Sequence, residues 1–459
     1  MAGVTHGAGV HLNVPGGDHH HRRDPGGGHV DGRIPDVTVT ALEGTPPAEL
    51  ERGQWRLTLH RRSFASPAYA RDTGLAEISD ARSRRLELAL NGAATLTFTL
   101  DGASPAAAWL QELTTEVMAW RWDADAAADR LMFRGVVAQT QDSISETVHT
   151  VTVTAHDYLS VAFRRPLTSP NDLTYTQTDQ DDIAADLLAR ASDGFTKGDG
   201  TPLAPGSHLP LALSRVNPDG SARPGKSGRL RDRTYSGGKS IGEALTELGA
   251  CQGGYDLDVL PAADSAGTDY LRVFYGAQGV TRSDLVLAYG SSVSSVSRSV
   301  NSVDYANYVR TTGANTGPPQ QYADAANADA ASGTPAEDGR LPVGLWASTA
   351  NASDVSLDAT LREQTAGELE RSGILIPSYT LGIRPEWWIP DNPAMGDTVA
   401  LVIRSGRLDV STTVRVLGIN YAVSDDGAED VELTVGRPAL ELTQLFRGLK
   451  RDVDALARR

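Results

Sequence analysis

Apolar and polar residues alternate along much of the chain between residues 37 and 165, and again after residue 374. In RLELALNGAATLTFTLDG, leucine and phenylalanine occupy every second position on both sides of an Asn91-Gly92 pair. Such alternation is typical of half-buried strands, and an Asn-Gly pair between two of them predicts a hairpin. The stretch LMFRGVVAQTQDSISETVHTVTVTAHDYL predicts two more strands around a polar loop. Many short strands with tight turns indicate a small antiparallel barrel or sandwich.

Helical patterns are fewer, and the clearest one begins at Ser240. This serine and Glu243, three residues later, have the spacing of a capping box, which satisfies the free N–H groups at the start of a helix. Apolar residues then recur at helical spacing. The following YDLDVL alternates apolar and acidic residues, as a half-buried strand does. We therefore expect a helix followed by a strand.

Three further stretches predict helices. Thr178 and Asp181 form a capping pair at the start of TDQDDIAADLLARAS, and Gly373 ends the helix predicted from SLDATLREQTAGELERSG. The C-terminal LTQLFRGLKRDVDALARR has an apolar stripe and a basic end, which suits the helix dipole. The segments 194–233 and 316–354 lack periodicity, so we expect a long loop without its own core and a surface excursion.

Residues 1–36 carry six of the ten histidines among many glycines and prolines. This composition cannot build a core, so we expect an extended arm. Histidine-rich tracts can bind metal, which makes His19, His20 and His21 candidate ligands. A flexible or lumen-lining arm is the favoured interpretation, and we expect no cofactor.

Length and charge restrict the possible classes of protein. A chain of 459 residues exceeds one ordinary core, so we expect two to four compact units. A net charge of −16 argues against a surface that grips nucleic-acid phosphates. The single cysteine, Cys251, excludes an intrachain disulfide. Because no signal peptide and no run of about 18 apolar residues is present, we expect a soluble cytoplasmic product.

No motif marks a catalytic site. Gly237–Ser240 resembles the end of a phosphate-binding loop, but Arg233 stands where the first glycine is required. Asp123–Asp129 lacks the glycine and glutamate of a calcium loop. Without a paired nucleophile, the strand histidines are expected to be packing or surface residues: His60, His149 and His156. We expect no enzymatic activity.

The order of elements from Ser236 to Arg437 is distinctive. A helix precedes the strands YLRVFYG and DLVLAYG, and DYANYV leads into TTG. Later strands contain a GDTV turn, RVLGI and a final DVELTVG. This order resembles phage tail-hub proteins, the family of siphophage minor tail and baseplate-hub proteins. The preceding β region fits the same layout more loosely.

The resemblance implies a mainly β (α+β) fold, with two tube-like antiparallel β-barrel domains, an inserted α/β middle domain and a C-terminal helix. The implied divisions are a His/Gly-rich arm at 1–36, a first β-barrel domain at 37–165, a helix-containing middle domain with a long loop at 166–299, a second β-barrel domain with an inserted loop and helix at 300–437, and an amphipathic helix at 438–459.

The resemblance also implies a structural virion protein. Three copies would present six similar barrels, join the sixfold tail tube to a threefold tip, and form part of the DNA ejection channel. Implied partners are two further copies, the distal tail protein or tail tube ring, the tape measure protein, and downstream tip or fibre proteins. DNA would pass without specific binding. The protein would be made in the host cytoplasm, lack a membrane span, and reside at the virion tail tip.

Two alternatives remain open. The hub of a contractile injection system or tailocin would use the same fold in another machine. A secreted carbohydrate-binding or carbohydrate-active β-protein is suggested by five tryptophans, although such residues more often fill a core or an interface. They are Trp109, Trp120, Trp122, Trp387 and Trp388.

Overall fold

The computed structural model describes most of the chain between residues 55 and 436. The described residues are 55–63, 70–71, 75–123, 127–167, 172–192, 201, 209–249, 254–262, 268–300, 302–303, 305–314, 320–327, 344–352, 358–373, 377–388 and 392–436. The predicted histidine arm, Cys251 and the predicted C-terminal helix lie outside them. None of the helices within these ranges is long and apolar enough to cross a membrane.

Strands dominate the described residues. The strands are β1 Trp55–Ser63, β2 Ala70–Arg71, β3 Ala76–Ile78, β4 Arg82–Ala89, β5 Thr95–Asp101, β6 Thr115–Asp123, β7 Ala128–Ile144, β8 His149–Asp157, β9 Leu173–Asp179, β10 Leu211–Val216, β11 Leu230–Tyr235, β12 Tyr255–Leu260, β13 Asp269–Tyr275, β14 Thr281–Ala288, β15 Val293–Val300, β16 Tyr308–Thr312, β17 Tyr322–Ala326, β18 Ala347–Asn351, β19 Pro377–Ile383, β20 Thr398–Ser405, β21 Leu408–Val423 and β22 Glu429–Gly436. The helices are α1 Tyr158–Arg164, α2 Gln180–Ser192, α3 Ile241–Gly249 and α4 Asp358–Ser372, and the short 3-10 turns are Ala107–Trp109 and Pro385–Trp387. The mainly β fold is confirmed.

Two six-stranded sheets with the same strand order form most of the structure. The N-terminal sheet runs β1-β6-β7-β8-β5-β4, and the C-terminal sheet runs β14-β20-β21-β22-β19-β15. When strands are numbered along the chain within each sheet, both orders are 1-4-5-6-3-2. Neighbours are antiparallel in both, except that β14 is parallel to β20. The chain therefore contains the same strand order twice, with the direction of one edge strand reversed.

The equivalence extends to the register of the fifth strand. In each sheet this strand is the longest, and it pairs first with the fourth strand and then with the sixth. β7 has a bulge between Val137 and Gln139, and β21 has one between Val416 and Gly418. When the bulges are aligned, every pairing from there to the hairpin turn has a counterpart. β7 and β21 can therefore be compared residue by residue.

The two sheets join through β4 and β21, which gives one continuous sheet of fourteen strands including β2 and β3. Inward-facing apolar residues of both sheets pack in one core. Members from the two sheets include Leu86, Phe98, Val153, Leu381, Val416 and Leu433. The alternation in the sequence thus placed the buried face of these strands correctly.

Helices α1, α2 and α3 pack with β9–β13 around a second hydrophobic core. In the sequence, these elements lie between the strands of the N-terminal sheet and those of the C-terminal sheet. The capping box at the start of α3 is confirmed. The backbone N–H of Glu243 donates to Ser240 Oγ, and that of Ser240 donates to Glu243 Oε2, both at 3.1 Å. Capping, rather than phosphate binding, accounts for Ser240.

Two local predictions were wrong. Asp179, not Thr178, caps α2, because its Oδ1 accepts a hydrogen bond from the N–H of Asp181 at 2.9 Å. The segment 194–233 contains β10 and the first residues of β11 instead of only a loop. The alternation of arginines with other residues hid β11, and β10 was missed because its partner β13 comes much later in the chain. The segment 316–354, predicted as a surface excursion, contains the mostly exposed strands β17 and β18, which flank β16.

Candidate functional site: the seam between the two sheets

The two sheets meet where β4 lies antiparallel to the second half of β21. The residue pairs of this seam run from Gly418 opposite Ala89 to Val423 opposite Arg84. At the centre, Tyr421 lies opposite Leu86, and both side chains are buried. The seam is thus both a backbone ladder and part of the core.

A buried ion pair fastens the sheets beside the seam. Arg121 on β6 donates from Nε and Nη2 to the two carboxylate oxygens of Glu429 on β22, each at 2.9 Å. The indole N–H of Trp55 donates to the same carboxylate at 2.6 Å. The Arg121 and Glu429 side chains are 5% and 11% exposed. Burial alone would lower the pKa of Arg121, but the bonds and charge of Glu429 raise it, so the guanidinium stays charged.

A second buried network ties the seam to β12. Asp256 accepts hydrogen bonds from the Asn91 side chain and from the backbone N–H of Gln278, each at 2.8 Å, and pairs with Arg415 on β21. Arg415 also donates to the Gln278 carbonyl at 2.7 Å. Asn91 sits in the predicted Asn-Gly turn with φ of 58°, a region that asparagine tolerates better than most residues. Its amide oxygen accepts from Leu257 N at 2.7 Å.

A third network joins the N-terminal sheet to the helical region. Arg134 on β7 lies between Glu116 on β6, with Nε to Oε1 at 3.0 Å, and Asp269 on β13, with Nη1 to Oδ1 at 2.8 Å. These three side chains are completely buried. The Tyr158 hydroxyl donates to Glu116 at 2.6 Å. An arginine with two carboxylates in this geometry is expected to fix orientation, because leaving any member unpaired in the interior is costly.

Two buried carboxyl groups near this network have raised pKa values. Burial raises the pKa of Asp157 to about 7, although the hydrogen bonds that its carboxylate accepts from backbone N–H groups act to lower it. Burial raises the pKa of Asp269 to about 6, although the Arg134 charge opposes the shift. The negative charges of the cluster also disfavour one another. Asp157 serves as the N-cap of α1, which explains its position.

The charged side chains of these networks are at most 11% exposed and pair with one another, so their geometry suits a structural junction. An open pocket of about 420 Å³ lies elsewhere, between the connection after β5 and the β7–β8 hairpin. His149 and Asp142 line this pocket, and their side chains are 2.8 Å apart. Across the described ranges, no group of three or more His, Cys, Asp and Glu side chains could hold a metal ion.

Among the described residues, the histidines and tryptophans singled out in the sequence lie apart from these networks. His19, His20 and His21 lie outside the described residues. His60 and His156 contact strand threonines, Thr58 at 3.0 Å and Thr95 at 3.1 Å. The tryptophans do not gather into one sugar site: Trp388 is in the core, Arg56 stacks over Trp120, and Trp387 is exposed.

Sequence reasoning missed the residues that join the parts of the fold. Asp256 stands at an acidic position that alternation places on a solvent face, yet it is buried. Its partner Arg415 lies 159 residues further along the chain, so no local signal pairs them. Arg134 follows Phe133 on β7, and both residues are 1% exposed. Alternation assigns one of two consecutive strand residues to solvent, so it does not reveal this buried charge.

No family model and no curated protein sequence matches this chain. Among solved structures, the 43 kDa tail protein of prophage MuSo2 from Shewanella oneidensis is 12% identical, with a TM-score of 0.51 over 84% of this chain and 98% of that chain. The chain shares the fold of this phage tail protein. The predicted resemblance to phage tail proteins is confirmed at the level of the fold.

Two other solved structures are more distantly similar. The tail protein from Neisseria meningitidis MC58 is 11% identical, with a TM-score of 0.49 over 85% of this chain and 98% of that chain. The prophage tail protein gp18 from Listeria monocytogenes EGD-e is 10% identical, with a TM-score of 0.46 over 83% and 94% of the two chains.

Proposed function

We propose that this protein is a structural component of a phage tail, a trimeric hub at the tail tip. The observation that carries the proposal is the sheet topology that occurs twice in each chain with the same strand order and the same bulge. Three copies around one axis would present six equivalent sheets. Such a ring would match a sixfold tail tube on one side and keep threefold symmetry for the tip on the other.

The proposed division of the chain follows from this role. The arm 1–36 and the C-terminal helix 438–459 flank a first barrel domain at 37–165 and a second at 300–437, with the helix-containing middle domain at 166–299 as a brace. β14 and nearly all of β15 lie before residue 300, yet both pair with strands of the C-terminal sheet, β14 with β20 and β15 with β19.

In this role the proposed partners are the tail tube ring or distal tail protein, the tape measure protein, and tip or fibre proteins. The proposed location is the tail tip of the virion, after synthesis in the host cytoplasm. DNA would pass through the ring during ejection. The net charge of −16 favours a channel wall that repels phosphates and does not retain DNA.

We infer no catalytic role. The buried acidic and basic groups are engaged with one another across the seam and the second core, and solvent does not reach them. A glycan-binding function gains no support, since the tryptophans are dispersed between core and surface.

The test is the mass of the purified protein in solution, measured by light scattering over a range of concentrations, with negative-stain images of the particles. We expect three times 48.6 kDa and a ring with six similar lobes. A monomer up to the highest soluble concentration would overturn the trimeric hub.

A further inference from the structure

The two sheets differ in which of their strand edges are paired. In the C-terminal sheet, the second half of β21 has β22 on one side and β4 on the other. In the N-terminal sheet, the equivalent half of β7 pairs with β8 only, among the described strands. The N–H of Leu113 donates a hydrogen bond to the Val137 carbonyl oxygen at 2.8 Å. Beyond this bond, the unpaired edge of β7 among the described strands runs from Gln139 to Ile144.

The counterpart of β4 has an open edge as well. β4 is the second strand of its sheet and lies between β5 and β21. β15 is the second strand of the C-terminal sheet and pairs along its length with β19 alone among the described strands. Its sequence, VSSVSRSV, contains no proline, and Arg298 is its one charged residue.

We propose that β15 of one copy pairs, antiparallel, with the second half of β7 of a second copy. This contact would reproduce between chains the seam that β4 and β21 form within one chain. The inference rests on the proposed trimer and names the surfaces that assemble it. A ring of three copies then has six seams, alternately within and between chains. The contact is heterologous, and such contacts either close into rings or grow as filaments.

The register of the proposed seam follows from the register within the chain. Alignment of the bulges makes Tyr421 equivalent to Asp142. The third strands, β5 and β19, are aligned through their pairing with β8 and β22, which makes Leu96 equivalent to Tyr379. Leu86 pairs with Leu96, and Arg298 pairs with Tyr379, so Leu86 is equivalent to Arg298. Because Tyr421 lies opposite Leu86, Asp142 is placed opposite Arg298. The same alignment gives the proposed pairs Thr140–Val300, Gln141–Ser299, Asp142–Arg298, Ser143–Ser297 and Ile144–Val296.

The residues that this register brings together are complementary, although the alignment used backbone pairing alone. Opposite charges meet at Asp142 and Arg298, and two apolar residues meet at Ile144 and Val296. Ile144 is 75% exposed within one chain, and the proposed pairing would cover it. A slip of one residue would place Arg298 opposite an uncharged side chain and turn the apolar residues to opposite faces.

Disulfide trapping tests the register directly. Gln141→Cys and Ser299→Cys are combined in a Cys251→Ser background. Directly opposite Cα atoms are about 4.5–5.5 Å apart, within disulfide reach. The matched control combines Gln141→Cys with Ser297→Cys, a diagonal pair about 7–8 Å apart. We expect oxidation to give covalent dimers and closed covalent trimers in the first variant and little product in the control.

Charge reversal is an independent measurement. Asp142→Arg and Arg298→Asp should each raise the concentration for half-assembly about tenfold or more, because like charges would face each other at every interchain seam. The double variant D142R/R298D restores an opposite pair and should recover assembly. D409R, an equal charge change on the exposed first half of β21, is the control and should assemble normally.

The outcomes separate this inference from the proposed function. A trimer that neither cross-links through 141 and 299 nor responds to the charge reversals would overturn the strand pairing and leave the trimeric hub intact. A monomeric wild type without cross-links would overturn both. Cross-links that extend beyond three chains would support the pairing and overturn the closed ring.

Discussion

Replacement of Glu429 by glutamine should loosen the attachment of β22 to the N-terminal sheet. The substitution keeps the size of the side chain but removes its charge. The Arg121 side chain, which is only 5% exposed, then lacks the carboxylate that balances its charge. Loss of one partner from a buried pair costs about 3–5 kcal/mol. Because glutamine can still accept one hydrogen bond, the lower end applies, about 3 kcal/mol. If the β22 amides exchange through local opening of this strand, a loss of about 3 kcal/mol makes their exchange about 150-fold faster.

The assay is hydrogen–deuterium exchange of the β22 peptide, with Glu432→Gln on the same strand as the matched control. Glu432 lies on the exposed side of β22 and accepts a hydrogen bond from the Asn420 amide at 3.0 Å. Its substitution should cost no more than about 0.5 kcal/mol, about twofold in exchange. In the double variant R121M/E429Q both charges are absent, so most protection should return. Equal exchange in E429Q and E432Q would refute a role for the ion pair.

Three further predictions concern other junctions. Since burial raises the pKa of Asp157 to about 7 and of Asp269 to about 6, the folded state binds more protons than the unfolded state between about pH 4 and 7. Urea denaturation should show stability that falls as pH rises through this window, and Asp157→Asn should flatten the slope. Gly135→Ala would place a Cβ 2.3 Å from a carbonyl oxygen of β8 and should lower the free energy of unfolding by about 1–3 kcal/mol, whereas Gly225→Ala, with open space around it, should change little. Asn91→Ala leaves buried partners on β12 unsatisfied and should cost about 1–3 kcal/mol in the same assay.

Local patterns in the sequence predicted the parts of the fold whose partners lie nearby. The strand alternation around the Asn91-Gly92 turn and the capping box at Ser240 both appear in the structure, because hairpins and helix caps depend on residues a few positions apart.

Pairing between distant segments could not be predicted in this way. β4 pairs with β21 although hundreds of residues separate them, and the bond from Trp55 to Glu429 spans 374 positions. Buried charges such as Asp256 were misplaced for the same reason, since alternation treats every acidic strand residue as solvent-facing. Only the assembled structure shows which charges meet a partner.

The two kinds of seam in the proposed ring would differ in strength. Within a chain, Glu429 and Arg415 reinforce the β4–β21 seam with buried ion pairs. Their equivalents beside the proposed interchain seam are His149 and Val136, neither of which can supply the same bridge. The interchain seam then depends on the strand ladder and the exposed Asp142–Arg298 pair. Because the weaker seams are those between copies, a hub of this design would open by separation of whole chains, each with its two sheets still joined.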